Sequence, residues 1–208
     1  MSAAERIVRI RISLKGIEPV IWRLVEVPVG LSLKGLHDVI QASFGWQDYH
    51  IHEFEVGGRR YGIPDPDLDF DPEVRSDRNV KLEALIARGR TRLDYTYDFG
   101  DGWEHDVTIE AVGEGVPGAL YPRLVGGEWR RPPEDVGGPL GYLDFVAAIG
   151  NPRHKDHRRR REWFGRRFDP EDAELAIRAS LVERLAAHRR ARMQGYEKSR
   201  KVRAGESR

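Results

Sequence analysis

The chain has 208 residues, 39% hydrophobic and 33% charged, with a formal net charge of +1 and no cysteine. That length suits one domain with an extension, and the missing thiols exclude disulfides and thiolate metal sites. MSAAERIVRIRISLKG lacks a leader's apolar run and no stretch nears the roughly 20 apolar residues of a membrane helix, so a cytoplasmic chain with no membrane partner is expected.

Ile7 to Ile12 alternate, with Val8, Ile10 and Ile12 on one side and Arg9 and Arg11 on the other, the period of a half-buried strand. Glu18-Pro19 marks a turn, and Val20 to Val27 reads as the returning strand of a hairpin. Ser32 caps a predicted helix with Leu33, Leu36, Ile40 and Phe44 at helical spacing, and Gly45 supplies its left-handed stop. Tyr49 to Val56 reads as a strand, turned by Gly57-Gly58 into Arg59–Tyr61. Residues 62–79 read as a Pro- and Asp-rich loop, and Leu82–Ala87 as one or two helical turns. Arg92–Asp98 and Trp103–Glu110 form the clearest hairpin, around Phe99-Gly100-Asp101-Gly102. Residues 113–141 are rich in Gly and Pro, with a short strand at Tyr121–Val125. Helices then close the chain. One carries a stripe of Tyr142, Phe145, Val146 and Ile149, and a basic one covers about His154 to Phe164. Asp169-Pro170 starts a last helix that runs past Leu185.

Strands come first and helices last, so the class is α+β, not alternating α/β. The expectation is a mostly antiparallel sheet, an early helix packed on it and a C-terminal helical segment, with a β-grasp-like core. A single domain is expected over residues 1–192, helical from about residue 139, followed by a charged, fraying tail over 193–208. Charge divides along a similar line. Residues 139–208 hold 18 Lys and Arg against 10 Asp and Glu, net +8, while residues 1–138 hold 17 against 24, net −7.

Several residues carry candidate chemistry. His50 and His52 sit two apart on an expected strand and so share a face, where imidazoles can meet a metal, an acid–base partner or ordinary sheet acceptors. No acidic residue follows at a metal-site spacing, so no metal or cofactor is expected. Asp98 and Asp101 are read as shaping their hairpin turn. His105 shares an apolar face with Trp103, Val107 and Ile109, which favours a buried structural histidine. Glu134 and Asp135 can cap the next helix or supply carboxylates to a pocket. Together Arg23, His37, His50, His52, Asp98, Asp101, Trp103, His105, Glu134 and Asp135 make a candidate polar pocket. Asp65, Asp67, Asp69 and Asp71 start like a calcium loop, but Phe70 and Ser76 stand where Gly and Glu are required. Arg153, Lys155, Arg158, Arg159, Arg160, Arg161, Arg166 and Arg167 form the densest basic run and are the candidate phosphate contacts.

Four segments in order carry a resemblance: IWRLVEVP from Ile21, LHDVIQASFGWQDYHIHEFEVGG from Leu36, YTYDFGDGWEHDVTIE from Tyr95 and PPEDVGGPLGY from Pro132. Over roughly residues 5–185 the chain resembles the plasmid pRiA4b ORF-3-like family, some of whose members are labelled IS1096-element passenger or TnpR-like proteins. The resemblance implies a compact α+β domain in a plasmid or mobile-element setting. The residues themselves give no serine-recombinase pattern, so resolvase chemistry does not carry over. Relatives often have cysteines around the PPED segment; this chain has Leu124, Arg131 and Val136 there.

The leading expectation is a non-catalytic binding module, with weak, salt-dependent nucleic-acid contact through its basic helices. A small-pocket enzyme using the His and carboxylate cluster is the alternative from another class. A protein-interaction domain is the third.

Overall fold

Eight strands hydrogen-bond into one sheet in the order β5-β4-β3-β6-β7-β1-β2-β8, and every neighbouring pair is antiparallel except β4 with β5. The computed structural model describes residues 4–64 and 74–205. The strands are β1 (Arg6–Leu14), β2 (Trp22–Pro28), β3 (His52–Val56), β4 (Arg59–Gly62), β5 (Arg75–Ser76), β6 (Arg92–Tyr97), β7 (Trp103–Glu114) and β8 (Arg123–Glu128). The helices are α1 (Leu33–Phe44), α2 (Leu82–Ile86), α3 (Gly138–Gly150), α4 (His157–Phe164) and α5 (Leu175–Gly205). No described helix is long and apolar enough to cross a membrane.

Period-two alternation decides which face of the sheet is inside. Val8, Ile10, Ile12 and Leu14 of β1 are buried with Phe54 of β3, Leu93, Tyr95 and Tyr97 of β6, and Trp103 and Val107 of β7. Leu33, Leu36, Val39, Ile40 and Phe44 of α1 close over them in the same core. The other face is wet and charged. There Arg9 pairs with Glu26 at 2.7 Å and Lys15 with Asp94 at 2.6 Å, solvent-screened surface pairs that add little to stability.

Local rules set α1. The Ser32 hydroxyl accepts from Gly35 N at 3.2 Å, and Gly45, at φ 88°, turns the chain left-handed and donates to Gln41 O at 2.7 Å. A side chain at Gly45 would also meet the Arg178 guanidinium.

Five elements begin later than the sequence predicts: β2 at Trp22 instead of Val20, β8 at Arg123 instead of Tyr121, and β3, α4 and α5, whose expected first residues are taken up by other hydrogen bonds. β3 starts at His52 instead of Tyr49, because Tyr49 N donates to the Tyr97 hydroxyl at 3.2 Å rather than to a neighbouring strand. α4 starts at His157, after turns in which His154 N donates to Asn151 O and His157 N to His154 O. α5 starts at Leu175, not after Asp169. Asp169 and Asp172 instead accept from the backbone of Glu171 and Glu174, the local competition that acidic side chains offer helices. Pro170 O is meanwhile taken by Arg130 N at 2.8 Å. α5 then runs on to Gly205, through the stretch read as tail. Arg189 on α5 grips both carboxylate oxygens of Glu5, tying the two ends of the chain. The acidic run Asp65 to Asp71 lies outside the described residues.

Arg23 is fully buried on β2, in the middle of the helix-covered side. Its Nε donates to Ser43 O at 3.0 Å, Nη1 to Trp22 O at 2.7 Å and Glu128 O at 3.0 Å, and Nη2 to Ala173 O at 3.4 Å. Burial lowers the guanidinium to about 10, still charged at neutral pH. A buried acceptor left unmade costs about 1–3 kcal/mol. Arg23→Met, which keeps the length and removes the donors, is therefore expected to cost at least about 3 kcal/mol in urea unfolding. Arg23→Lys, offering one compact donor group, should recover only part. A loss below about 1 kcal/mol for Arg23→Met would show that these carbonyls do not depend on it.

Candidate functional site

Three connecting segments meet at one end of β3 and β6. The first follows α1, where Gly45 hands the chain to Trp46, Gln47 and a left-handed Asp48 at φ 55°. The second is the β6–β7 turn. Asp98 holds φ 56° there, and its Oδ1 accepts from Gly100 N at 3.0 Å and Asp101 N at 3.2 Å. Asp98 thus has the turn-shaping role read from the sequence, with Oδ2 uncommitted to the turn, whereas the Asp101 carboxylate, read the same way, bonds outside the turn to Gly137 N. The third segment, Arg130 to Gly138, is docked onto the second. Asp101 Oδ2 accepts from Gly137 N at 3.1 Å, and Gly138, at φ 68°, approaches so closely that a Cβ would sit 2.5 Å from Asp101 O. Glycine is required there by both conformation and space.

The juncture brings His50 between two carboxylates. Its Nε2 lies 3.5 Å from Asp98 Oδ2 and 3.3 Å from Asp135 Oδ1, and this screened nitrogen makes no hydrogen bond among the described residues. Asp98 is nearly enclosed, with 8% of its side chain exposed, whereas Asp135 is 71% exposed and opens the notch to water. Glu134 lies behind. Its Oε1 accepts from Gln47 N at 2.8 Å and from the Tyr97 hydroxyl at 3.3 Å, while Oε2 is buried without a partner. Burial raises the Glu134 carboxyl above its ordinary value, and burial with the nearby Glu134 charge raises the Tyr97 phenol. Trp46 forms a wall, 5.3 Å from the Tyr97 ring, with the Arg131 guanidinium stacked over it at 4.8 Å. Burial lowers Arg131 to about 10.

A second polar group lies in the core, with Asp48 reaching the surface at its edge. The His37 and His52 rings stack with centroids 3.5 Å apart. His37 Nε2 lies 2.9 Å from Asp48 Oδ1, and Nδ1 lies 2.9 Å from the Tyr95 hydroxyl, which accepts from Gln41 Nε2 at 3.1 Å. A carboxylate can only accept, so Nε2 carries the proton, and Tyr95 donates to Nδ1. His52 Nε2 pairs with buried Asp77 Oδ2 at 2.9 Å.

The candidate pocket residues thus divide. His50, Asp98, Asp101, Glu134 and Asp135 come together at the notch. Arg23, Trp103 and His105 lie in the core, where His105 Nδ1 contacts Trp103 O at 3.0 Å, and His37 and His52 form the sealed pair. His50 and His52 do not converge on one ligand, because His50 precedes the strand and has other partners. Tyr97, Gln47 and Arg131 were not singled out for the site, nor Gln41, Asp48, Asp77 and Tyr95 for the buried network, whereas Trp46 reads from the sequence as a core or pocket-wall residue. The one available signal was a pair of tyrosines on a buried face, whose hydroxyls need partners.

The basic run lies on the surface around α4. Arg160 pairs with Asp144 at 2.7 Å and Arg159 with Asp156 at 3.0 Å. Arg158 and Arg167 reach Glu162 and Asp169 only at 3.9 Å, and Arg166 stacks over Phe164 at 5.2 Å. Arg153, Lys155 and Arg161 are exposed. A separate groove of about 1090 Å³ runs between the start of α1 and α5, past Lys34, Asp38, Arg78, His188 and Arg192, and contains none of the notch residues.

Burial holds His37 down to about 2 and His105 down to about 4, from an ordinary 6.5. Both are neutral in the fold and protonate on unfolding. Their contribution is complete above about pH 6.5 and is lost as pH falls, by up to about 1.4 kcal/mol per pH unit for each. Urea unfolding should therefore show falling stability from pH 7 to 5, and His105→Phe should flatten that slope by one proton. A stability unchanged over that range would refute the assignment.

The chain has relatives in sequence and in fold. A protein from Sinorhizobium fredii (strain NBRC 101917 / NGR234), described as uncharacterized protein y4hQ, is 38% identical over 182 residues, covering 87% of this chain and 93% of the relative. The crystal structure of a protein of unknown function, MM3350 from Methanosarcina mazei Go1, superposes with a TM-score of 0.74 at 34% identity, over 81% of this chain and 94% of that one. The family model described as plasmid pRiA4b ORF-3-like protein matches residues 6–176, and the chain belongs to that family.

Proposed function

We propose that the chain is a non-catalytic binding module whose ligand sits in the notch of His50, Asp98, Glu134 and Asp135 and carries positive charge. The observation that carries this reading is a pair of screened polar atoms, His50 Nε2 and Glu134 Oε2, left without hydrogen bonds where three loops meet. Buried polar atoms are normally satisfied, so unpaired ones at a surface notch point to a missing partner. The charge follows from the lining: Asp98, Asp101, Glu134 and Asp135 outnumber Arg131 and His50, and Arg131 is spent on Trp46 and Pro132 O. Agmatine and putrescine, titrated in buffer containing EDTA, are expected to move amide NMR signals of residues 47–50, 97–102 and 131–138. Glu134→Gln with Asp135→Asn should remove those shifts. Shifts scattered over the surface, or none, would reject the reading.

The α4 surface favours a second binding activity. Side chains of Arg158, Arg159 and Arg167 are 91%, 70% and 90% exposed, and their ion pairs are the weak, exchangeable kind that a phosphate can displace. The nucleic-acid contact and the mobile-element setting expected from the sequence belong to this reading. Labelled duplex DNA should bind with an affinity that falls steeply with salt, and Arg158→Glu with Arg161→Glu should lower that slope. Weak binding at low salt that does not change with ionic strength would end it.

A further inference from the structure

We propose that His50 Nε2, Asp98 Oδ2 and Asp135 Oδ1 form a divalent metal site of the zinc or manganese class, a deepening that rests on the notch being the ligand site. The three atoms lie within 4.8 Å of one another. The separations of 3.5 and 3.3 Å from the imidazole nitrogen are not hydrogen bonds, since Nε2 makes none among the described residues. They match the spacing of neighbouring ligands around an ion held at about 2.0–2.2 Å, where a tetrahedral edge is about 3.3–3.6 Å.

Two further features fit an ion better than a simple imidazole–carboxylate pair. His50 Nε2 is screened from solvent yet makes no hydrogen bond, so its bonding capacity is directed into the cluster and unspent. Asp98 is fixed through its other oxygen by Gly100 N and Asp101 N, the outer-shell support that orients metal-ligating carboxylates. One imidazole and two carboxylates make a mixed N/O set suited to zinc, manganese or ferrous iron. Three protein ligands and the exposed side at Asp135 leave a coordination position open to water or to a ligand's donor atom.

The second group, His37, Asp48 and His52, also offers three ligand atoms, but they are occupied. His37 uses both ring nitrogens on Asp48 and Tyr95, and His52 Nε2 is held by Asp77. A metal there would have to break those hydrogen bonds inside the core. It serves as the internal control.

The test uses the full chain stripped with EDTA and dialysed, titrated calorimetrically with Zn²⁺ and with Mn²⁺, and with Co²⁺ followed by visible absorption. Binding of one ion per chain is expected. His50→Ala and Asp98→Asn should each weaken it by at least about tenfold. Asp98→Asn keeps a residue that tolerates the left-handed backbone, so it separates lost ligation from lost folding. Asp48→Asn should leave the affinity unchanged. No binding, binding indifferent to both notch variants, or binding lost in Asp48→Asn alone would overturn the metal site. Agmatine shifts that persist in EDTA while metal binding is absent would overturn the metal site and leave the notch a ligand site. Absence of both would reject the two together.

Discussion

A guanidinium without water around it must find acceptors in the protein, and Arg23 finds them in four places: the end of α1, its own strand, the end of β8 and the turn before α5. A buried cation is costly unless its hydrogen bonds are made. That cost becomes a positional constraint, because the carbonyls can all be reached only when the early helix, the edge strand and the last helix are each in register. Glu174 extends the arrangement by bonding Arg130 and Arg178 together, and the Arg178 guanidinium lies against Gly45. The segment that leaves α1 toward the notch is thus fixed from behind by buried arginines.

The notch inherits its geometry from this support. Trp46 and Gln47 leave Gly45 in one direction, Glu134 receives Gln47 N, and Asp101 receives Gly137 N. The sheet supplies Tyr97, whose hydroxyl joins the Tyr49 amide to Glu134. Loops carry the polar groups, while the rigid strands and the end of a helix set where the loops begin. The basic surface of α4 lies on a helix with no buried residue, so its charges are not organised by the core in this way.

Much of the fold was legible because it follows from short-range rules. The alternation of Val8, Ile10 and Ile12 identified the buried face, Ser32 and Gly45 bounded α1, and Phe99 to Gly102 gave the central hairpin. The late start of β3 was not legible because it depends on Tyr97, far away in sequence, and those of α4 and α5 were not because turn hydrogen bonds over residues 151–157 and 169–174 compete with the helix signals there. The notch was half legible. Its acids and His50 stood out as polar residues in motif-bearing segments. Its division from the sealed His37–His52 stack did not, because period-two reasoning places His50 and His52 together and cannot see that β3 begins between them. The role of Arg23 was invisible for the same reason: an arginine in an alternating strand reads as either a pocket group or a solvent group, and only tertiary carbonyls decide.

The bidentate grip of Arg189 on Glu5 spans 184 positions, and β1 lies inside the sheet between β2 and β7. Contacts of such separation close the largest loops the chain can form, and loop closure must be met before they stabilise anything. During synthesis, β1 and β2 emerge long before β7 and α5 can cover them. Until β7 and α5 are made, the buried face of Val8 to Leu14 can pair with β2 alone, so the core of this fold closes only after most of the chain is available.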